Sequence, residues 1–348
     1  MTPRERVLTT FDHVEPDRVP MWCGSSPEFW NKAKAQLGIA DDEALRQRFH
    51  DDFRRVWPRY VGPDFPLSPE ATYRTPFGIE RRGLGFGQPM SHPLADAGLN
   101  EIHAYPWPEP GWMDVGNVRA DAERFHGRYA LLGGDWSPFF HDMIDLLGME
   151  NAFLKMYDQP EIVDAVLEHI VDYYFDVSRR IFEAAADVLD IFFIGNDFGS
   201  QNGPLLGEDL FRRFMLPHLT RLIDLGHEHD LKVMLHCCGG YAPLIPAMIE
   251  AGLDGLHAVQ PSCRGMDLRK LKADYGDKLL FNGAIDSHHV LIDGTPEEVR
   301  ARTREVLKIM MPGGGYVAGA SHDFILEETP VENVVAMFDT VAESGRYH

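Results

Sequence analysis

Positive charge is what this 348-residue chain has least of: 33 Lys and Arg stand against 54 Asp and Glu, a net charge of −21. A field of that sign repels phosphate backbones and anionic headgroups, so nucleic acid and membrane surfaces are excluded as expected partners. Cysteine is scarce too. Cys23, Cys237, Cys238 and Cys263 are too few and too unevenly spaced for a disulfide framework. No run approaches the roughly 18 apolar residues of a membrane span. The opening "MTPRERVLTTFDHVEPDRVP" is charged where a signal peptide would be apolar. A reducing cytoplasm is therefore the expected location. No repeat of fixed period is visible. No glycine-rich phosphate loop follows the first apolar run, which leaves a dinucleotide-binding sheet without support.

What is present is ordinary for a soluble globular enzyme: 44% hydrophobic and 25% charged residues. Residues 1–125 are irregular and rich in Pro, Trp and Arg. They read as a helix over about Thr2–Phe11, a first strand around Val19–Trp22, then helices and loops packed on a main body. From residue 126 a rhythm begins. "YALLGG", "VLDIFFIGND", "KVMLHCCGG", "LDGLHAVQP", "KLLFNGAID" and "GGYVAGASHD" are apolar runs ending in polar residues, separated by amphipathic helices such as Pro160–Asp187. Thr295–Glu298 and Thr329–Glu332 read as capping boxes opening two of these helices. Runs that are apolar throughout are buried on both faces, as in parallel sheets. Because nearly every run ends in polar groups, a closed (β/α)8 barrel with all strand ends on one rim fits better than an open sheet. The whole chain reads as one such domain.

The strand ends supply Trp22, Cys23, Asp135, Trp136, Asn196, Asp197, Gln201, His236, Cys237, Cys238, His257, Gln260, Asn282, Asp286, His322 and Asp323, with Cys263 just beyond one of them. His236 and Cys238 are two apart, so on extended backbone both face one side while Cys237 faces the wall. Imidazole and thiolate together suit zinc, and a catalytic zinc keeps one position open. The ordinary alternative is a strand end whose reduced thiol packs as a small hydrophobe. A third ligand is left open among His322, Cys263 and Asp197. In "IGNDFGSQNGP", Asp197 and Gln201 are placed to meet a ligand, although Asp197 could equally cap a turn. Asp286 reads as a cap. Arg54, Arg55, Arg81 and Arg82 are either carboxylate receivers or solvated surface.

"RERVLTTFDHVEPDRVPMW", "GNDFGSQNGPLL", "LKVMLHCCGG", "VQPSCRGMDLRKLKADYGDKLLFNGAID" and "GTPEEVRARTREVLKIMMPGGGYVAGASHD" followed by "ETPVENV" resemble, in order, the uroporphyrinogen decarboxylase superfamily. The resemblance covers nearly the whole chain and implies the same barrel. It also implies one of two chemistries. True decarboxylases carry an arginine-rich N-terminal motif for substrate carboxylates and need no cofactor. Here "VPMWCGSSPEFWNKAKAQLG" has no arginine, which argues against a porphyrinogen. The other branch contains zinc-dependent methyltransferases working with a corrinoid protein, whose His-x-Cys matches His236 and Cys238. Their further Cys near the last strand is missing from "VAGASHD", where His322 lies closest. The resemblance thus implies a zinc ion held by His236, Cys238 and His322 (or Cys263). Asp197, His322 and Asp323 become catalytic candidates, and Trp22, Asp135, Trp136, Gln201 and Gln260 substrate contacts. It also implies a small-molecule substrate, a corrinoid supplied by a partner protein or as free cobalamin, and makes a homodimer possible. A cofactor-free decarboxylase of a carboxylated substrate is the alternative.

Overall fold

A computed structural model describes residues 1–83 and 87–347. Its centre is a curled parallel sheet of seven strands in chain order: β1 (Phe53–Arg55), β2 (Ala130–Gly133), β3 (Ile191–Gly195), β4 (Lys232–His236), β5 (Gly255–Val259), β6 (Leu280–Ile285) and β7 (Tyr316–Ala320). β2 to β6 are buried at every position except Lys232 of β4. That burial is why these segments read as continuous apolar runs.

The segment expected as the first strand, Val19–Trp22, is extended but forms only a single parallel bridge, Met21 to Ala318. It nevertheless touches both edges of the sheet. Trp22 N–H donates to Ala318 O, Ala318 N–H to Pro20 O, and Asp52 N–H, just before β1, to Met21 O. β1 itself lies in a stretch expected to be irregular.

Alternate side chains along the strands point inward. Phe53, Ala130, Leu132, Ile191, Phe193, Met234, Leu280 and Val317 form one buried cluster, separate from the larger one between strands and outer helices. Helix α1 (Pro3–Phe11) closes one end of this interior with Val7 and Phe11, and Trp22 and Trp136 join it at the other. α1 starts with a capping box in which Thr2 and Glu5 bond reciprocally.

Outside the sheet run α2 (Phe139–Leu147), α3 (Pro160–Ala185), α4 (Leu216–Glu228), α5 (Pro296–Met310) and α6 (Val331–Ser344). The capping box of α5 at Thr295 and Glu298 is formed. The one expected at Thr329 is not. α6 begins at Val331 with Pro330 as its N-cap, so the Thr329 hydroxyl is out of register with the free N–H groups. No helix among the described residues is long and apolar enough to cross a membrane.

Candidate metal centre at the mouth of the sheet

Strand register builds the centre. His236 ends β4 and pairs with Gly195 of β3 on one side and His257 of β5 on the other; His257 in turn pairs with Asn282 of β6. The ends of β3 and β4 therefore lie level with His257 and Asn282 inside β5 and β6. Beyond His236 the chain turns on Gly239, whose φ is +89° and where a Cβ would come within 2.5 Å of the Gly199 carbonyl carbon. That close approach brings the loop after β3, with Asp197, against the loop after β4. Asp197 accepts from Cys238 N–H at 2.7 Å, so it fixes the neighbouring loop and does not cap its own turn. The Gln260 side chain accepts from Gly239 N–H and steadies the same turn.

The result is a compact set of donors. His236 Nε2 lies 3.3 Å from Cys238 Sγ and 3.3 Å from Asp197 Oδ1. All three ligand atoms lie within 4.8 Å of one another. For a tetrahedral zinc with ordinary bond lengths, the N···S and N···O edges are about 3.6 and 3.4 Å. The observed spacings need a shift of a few tenths of an ångström, so the residues fit that ion. Cys237 points away, buried, with its sulfur accepting from Phe198 N–H.

A second layer orients the first. His236 Nδ1 lies 3.0 Å from His257 Nδ1. With the proton on His236 Nδ1, Nε2 keeps its lone pair for a ligand, which is the arrangement metal-binding histidines need. His257 is fully buried, and its Nε2 has no partner among the described residues. Burial, with His236 next, holds its pKa well below the usual imidazole value, so it stays a neutral acceptor. His141, on α2, reaches the far oxygen of Asp197 at 3.3 Å. Burial works to raise the Asp197 pKa, but the bonds from His141 and His236 outweigh it and hold the carboxyl well below its usual range. Burial opposes charge on His236 as well, yet Cys238 and Asp197 raise its pKa overall. Burial raises the Cys238 thiol, with His236 opposing. A second triad, His236, His257 and Asp323, is also close. There the two Nδ1 atoms already share a hydrogen bond and Asp323 stands 3.9 Å off, so the first set is the better ligand cradle.

The remaining sequence candidates divide. Trp22, Trp136 and Asp323 line a cavity of about 340 Å3 at the mouth, together with Arg55 and Trp57. Trp136 packs on His236 with ring centroids 5.3 Å apart; Gly195 makes room, since a Cβ there would sit 1.9 Å from the indole. The Asp135 carboxylate accepts from Ser137 N–H, and burial raises its pKa. Gln201 is exposed on the rim. His322 is in neither donor cluster; its Nδ1 lies 3.1–3.2 Å from the backbone N and O of Phe324 in its own loop. The Cys263 thiol meets the Gln260 side-chain oxygen, outside both clusters. Of the arginines, Arg54 makes a bidentate pair with Glu43 and Arg81 pairs with Asp145, while Arg82 is exposed. Asp286 caps the turn after β6, accepting from His288 and His289 N–H. His141 was not among the sequence candidates, because a single histidine in "SPFFHDMID" carries no spacing signal.

The uroporphyrinogen decarboxylase (URO-D) family profile matches residues 117–344, about two thirds of the chain, and the chain belongs to that family. Methylcobamide:CoM methyltransferase MtbA of Methanosarcina mazei is 22% identical over 372 aligned residues, covering 99% of both chains. The uroporphyrinogen decarboxylase of Koribacter versatilis is 30% identical over 229 residues, covering 62% of this chain and 59% of that one. Matches to curated relatives range from half of the relative's length to nearly all of it. A solved methyltransferase from Methanosarcina mazei superposes with a TM-score of 0.70 at 18% identity, covering 99% of both chains, and shares the fold.

Proposed function

We propose that this member of the uroporphyrinogen decarboxylase family is a zinc-dependent methyltransferase, moving a methyl group between a small molecule or thiol and a corrinoid carried by a partner protein. One observation carries the reading: an imidazole nitrogen lies 3.3 Å from both a thiol sulfur and a carboxylate oxygen at the open end of the sheet, with no fourth ligand in the group among the described residues. The end-to-end similarity to a methylcobamide:CoM methyltransferase supports it. We read the 19–22 segment as the eighth stave of a (β/α)8 barrel whose mouth is the site.

His236 and Cys238 would hold the ion, with Asp197 as third ligand in preference to His322 or Cys263. When bound, zinc supplies Lewis acidity, lowering the pKa of a thiol or polarising an ether oxygen. The chain's own residues do the rest. His257 fixes the His236 tautomer. His141 holds the outer oxygen of Asp197 and can take or return a proton there. Trp22 and Trp136 wall the cavity against water, and Asp323, on its edge, orients substrate. His322 and Asp135 remain rim groups within reach of a bound ligand, Gln260 acts through the Gly239 turn, and Gln201 meets only ligands that extend over the rim. The corrinoid partner docks over this mouth.

The test is metal content by mass spectrometry of protein purified without added zinc, alongside methyl transfer from methylcobalamin to a thiol. Near one zinc per chain, lost in His236→Ala and Cys238→Ser, is expected. The decarboxylase relatives support a second reading: carbon dioxide release from a carboxylated substrate, unaffected by chelators and retained in Cys238→Ser, would replace methyl transfer.

A further inference from the structure

Arg55 lines the cavity without a side chain to grip it among the described residues, and Asp323 and Asp135 support its charge only at longer range. It ends β1, on the same inward side as Phe53 two residues before it, and it makes no ion pair or hydrogen bond among the described residues. Its Nε and Nη2, and the indole nitrogen of Trp22 on the neighbouring 19–22 segment, are buried donors without an acceptor among the described residues. No hydrogen bond or ion pair among the described residues joins Arg55 to Asp135, which accepts from Ser137 N–H, or to Asp323, which stands 3.9 Å from His257. The guanidinium lies 3.5 Å from the Trp57 ring centroid, with Trp136 and Phe193 at 4.9 and 5.1 Å. Aromatic rings thus pack around the guanidinium while its N–H groups, the part that grips planar anions in a two-point fork, keep no protein acceptor at Nε and Nη2 among the described residues.

We infer that Arg55, with the Trp22 N–H, is the receptor for the anionic headgroup of a small, largely apolar substrate whose other end reaches the His236–Cys238 centre. This rests on reading that centre as the reaction site. Trp136 is the ruler between the two, since it touches the guanidinium on one side and the His236 ring on the other. The cavity is of small-molecule size and walled by Trp22, Phe53, Trp57, Leu132 and Trp136, which suits a flat apolar body. Burial pushes the Arg55 pKa down to about 9, with Asp323 and Asp135 opposing only in part, so the free site holds a charge at a cost that an anion would relieve. Arg54 beside it is outward and already spent on Glu43, so the two adjacent arginines have separate roles.

The experiment is a tryptophan-fluorescence titration, confirmed by calorimetry, with three probes: benzoate, benzenesulfonate and neutral benzamide. Wild-type protein is expected to bind one of the anions at least about tenfold more tightly than benzamide, the margin a charged fork gives over a neutral isostere. Which anion wins identifies the headgroup as carboxylate or sulfonate. Arg55→Gln should erase the preference. Arg55→Lys, which keeps the charge but loses the fork, should retain only part of it and carries the test if Arg55→Gln does not fold. Wild-type protein stripped of metal with a chelator should keep the preference intact, because the readout needs no metal and no turnover. Equal binding of all three probes by wild type, or an anion preference that survives in Arg55→Gln, overturns the inference. Absence of zinc with an intact anion preference would instead overturn the methyltransferase reading alone.

Discussion

Asp52 gives the sharpest handle on how the two edges of the sheet are joined. Its carboxylate is 1% exposed and accepts from Arg6 Nη1 at 2.7 Å, from Arg18 Nη1 and Nη2 at 2.9 Å each, and from Met21 N–H at 2.8 Å. One buried side chain thereby ties α1, the 18–22 segment and the start of β1. Asp52→Asn keeps the shape and one acceptor oxygen for Met21, but strips the charge that two guanidinium groups face. Removing one partner of a buried ion pair costs about 3–5 kcal/mol when the other is left uncompensated. Here Arg6 keeps Asp17 through two bonds and the Arg18 side chain is 18% exposed, so the lower end applies, about 3 kcal/mol. The assay is urea denaturation, with hydrogen exchange at Trp22 and Ala318, whose N–H groups bridge the segment to β7. Those amides should exchange faster in the variant. Asp17→Asn is the control: its side chain is 42% exposed and the loss should stay below about 1 kcal/mol. Asp52→Asn within about 0.5 kcal/mol of wild type, the spread of ordinary surface changes, would refute the idea that this carboxylate clasps the seam.

Three further outcomes follow from the same geometry. Gly195→Ala puts a methyl 1.9 Å from the Trp136 ring, so it should cost about 1–3 kcal/mol, shift tryptophan emission and weaken zinc binding at His236. Burial raises the Asp142 pKa to about 7, with Tyr174 and Arg81 opposing. Between its ordinary value of 3.8 and about 7 the unfolded chain is ionised while the folded one keeps its proton, so this group makes stability fall as pH rises through that window. Asp142→Asn should flatten that fall, with a gain at pH 8 of up to about 4 kcal/mol and almost none near pH 4, read by denaturation at both pH values. Alkylation followed by mass spectrometry should find Cys238 modified first in metal-stripped protein and protected by zinc. Cys237, raised well above its usual value by burial, and Cys23, pushed by burial up to about 12, should stay unmodified at pH 8.

Most of the architecture was legible because the strands obey one rule. Segments such as "IFFIG" and "LFNGAI" are buried on both faces and must be apolar throughout. The i, i+2 rule placed His236 and Cys238 on one side and Cys237 on the other without a structure. Which further donor stands beside His236 and Cys238 was not legible, because it depends on which loops touch. Asp197 follows β3, the neighbour of β4 in the sheet, whereas His322 follows β7, three strands further round. When chain order equals sheet order, the adjacent strand's end is the first place to seek a partner for His236. That argument needs the sheet order in hand before the neighbour is chosen.

The strand that escaped detection makes the complementary point. "FRR" at 53–55 has one apolar residue in three, so neither alternation nor a buried run marks it. Its outward residue, Arg54, is satisfied by Glu43. Its inward residues are Phe53, in the core, and Arg55, at the mouth, where a strand of pure scaffold would carry a second apolar side chain. The local rule for a buried strand is broken at one position, and that position holds a charge of the cavity that only longer-range carboxylates support. A departure of this kind, with no hydrogen-bonded partner among the described residues, is where a ligand is expected to supply what the chain does not. The feature that hid β1 from the sequence is therefore the same one that points to what the cavity binds.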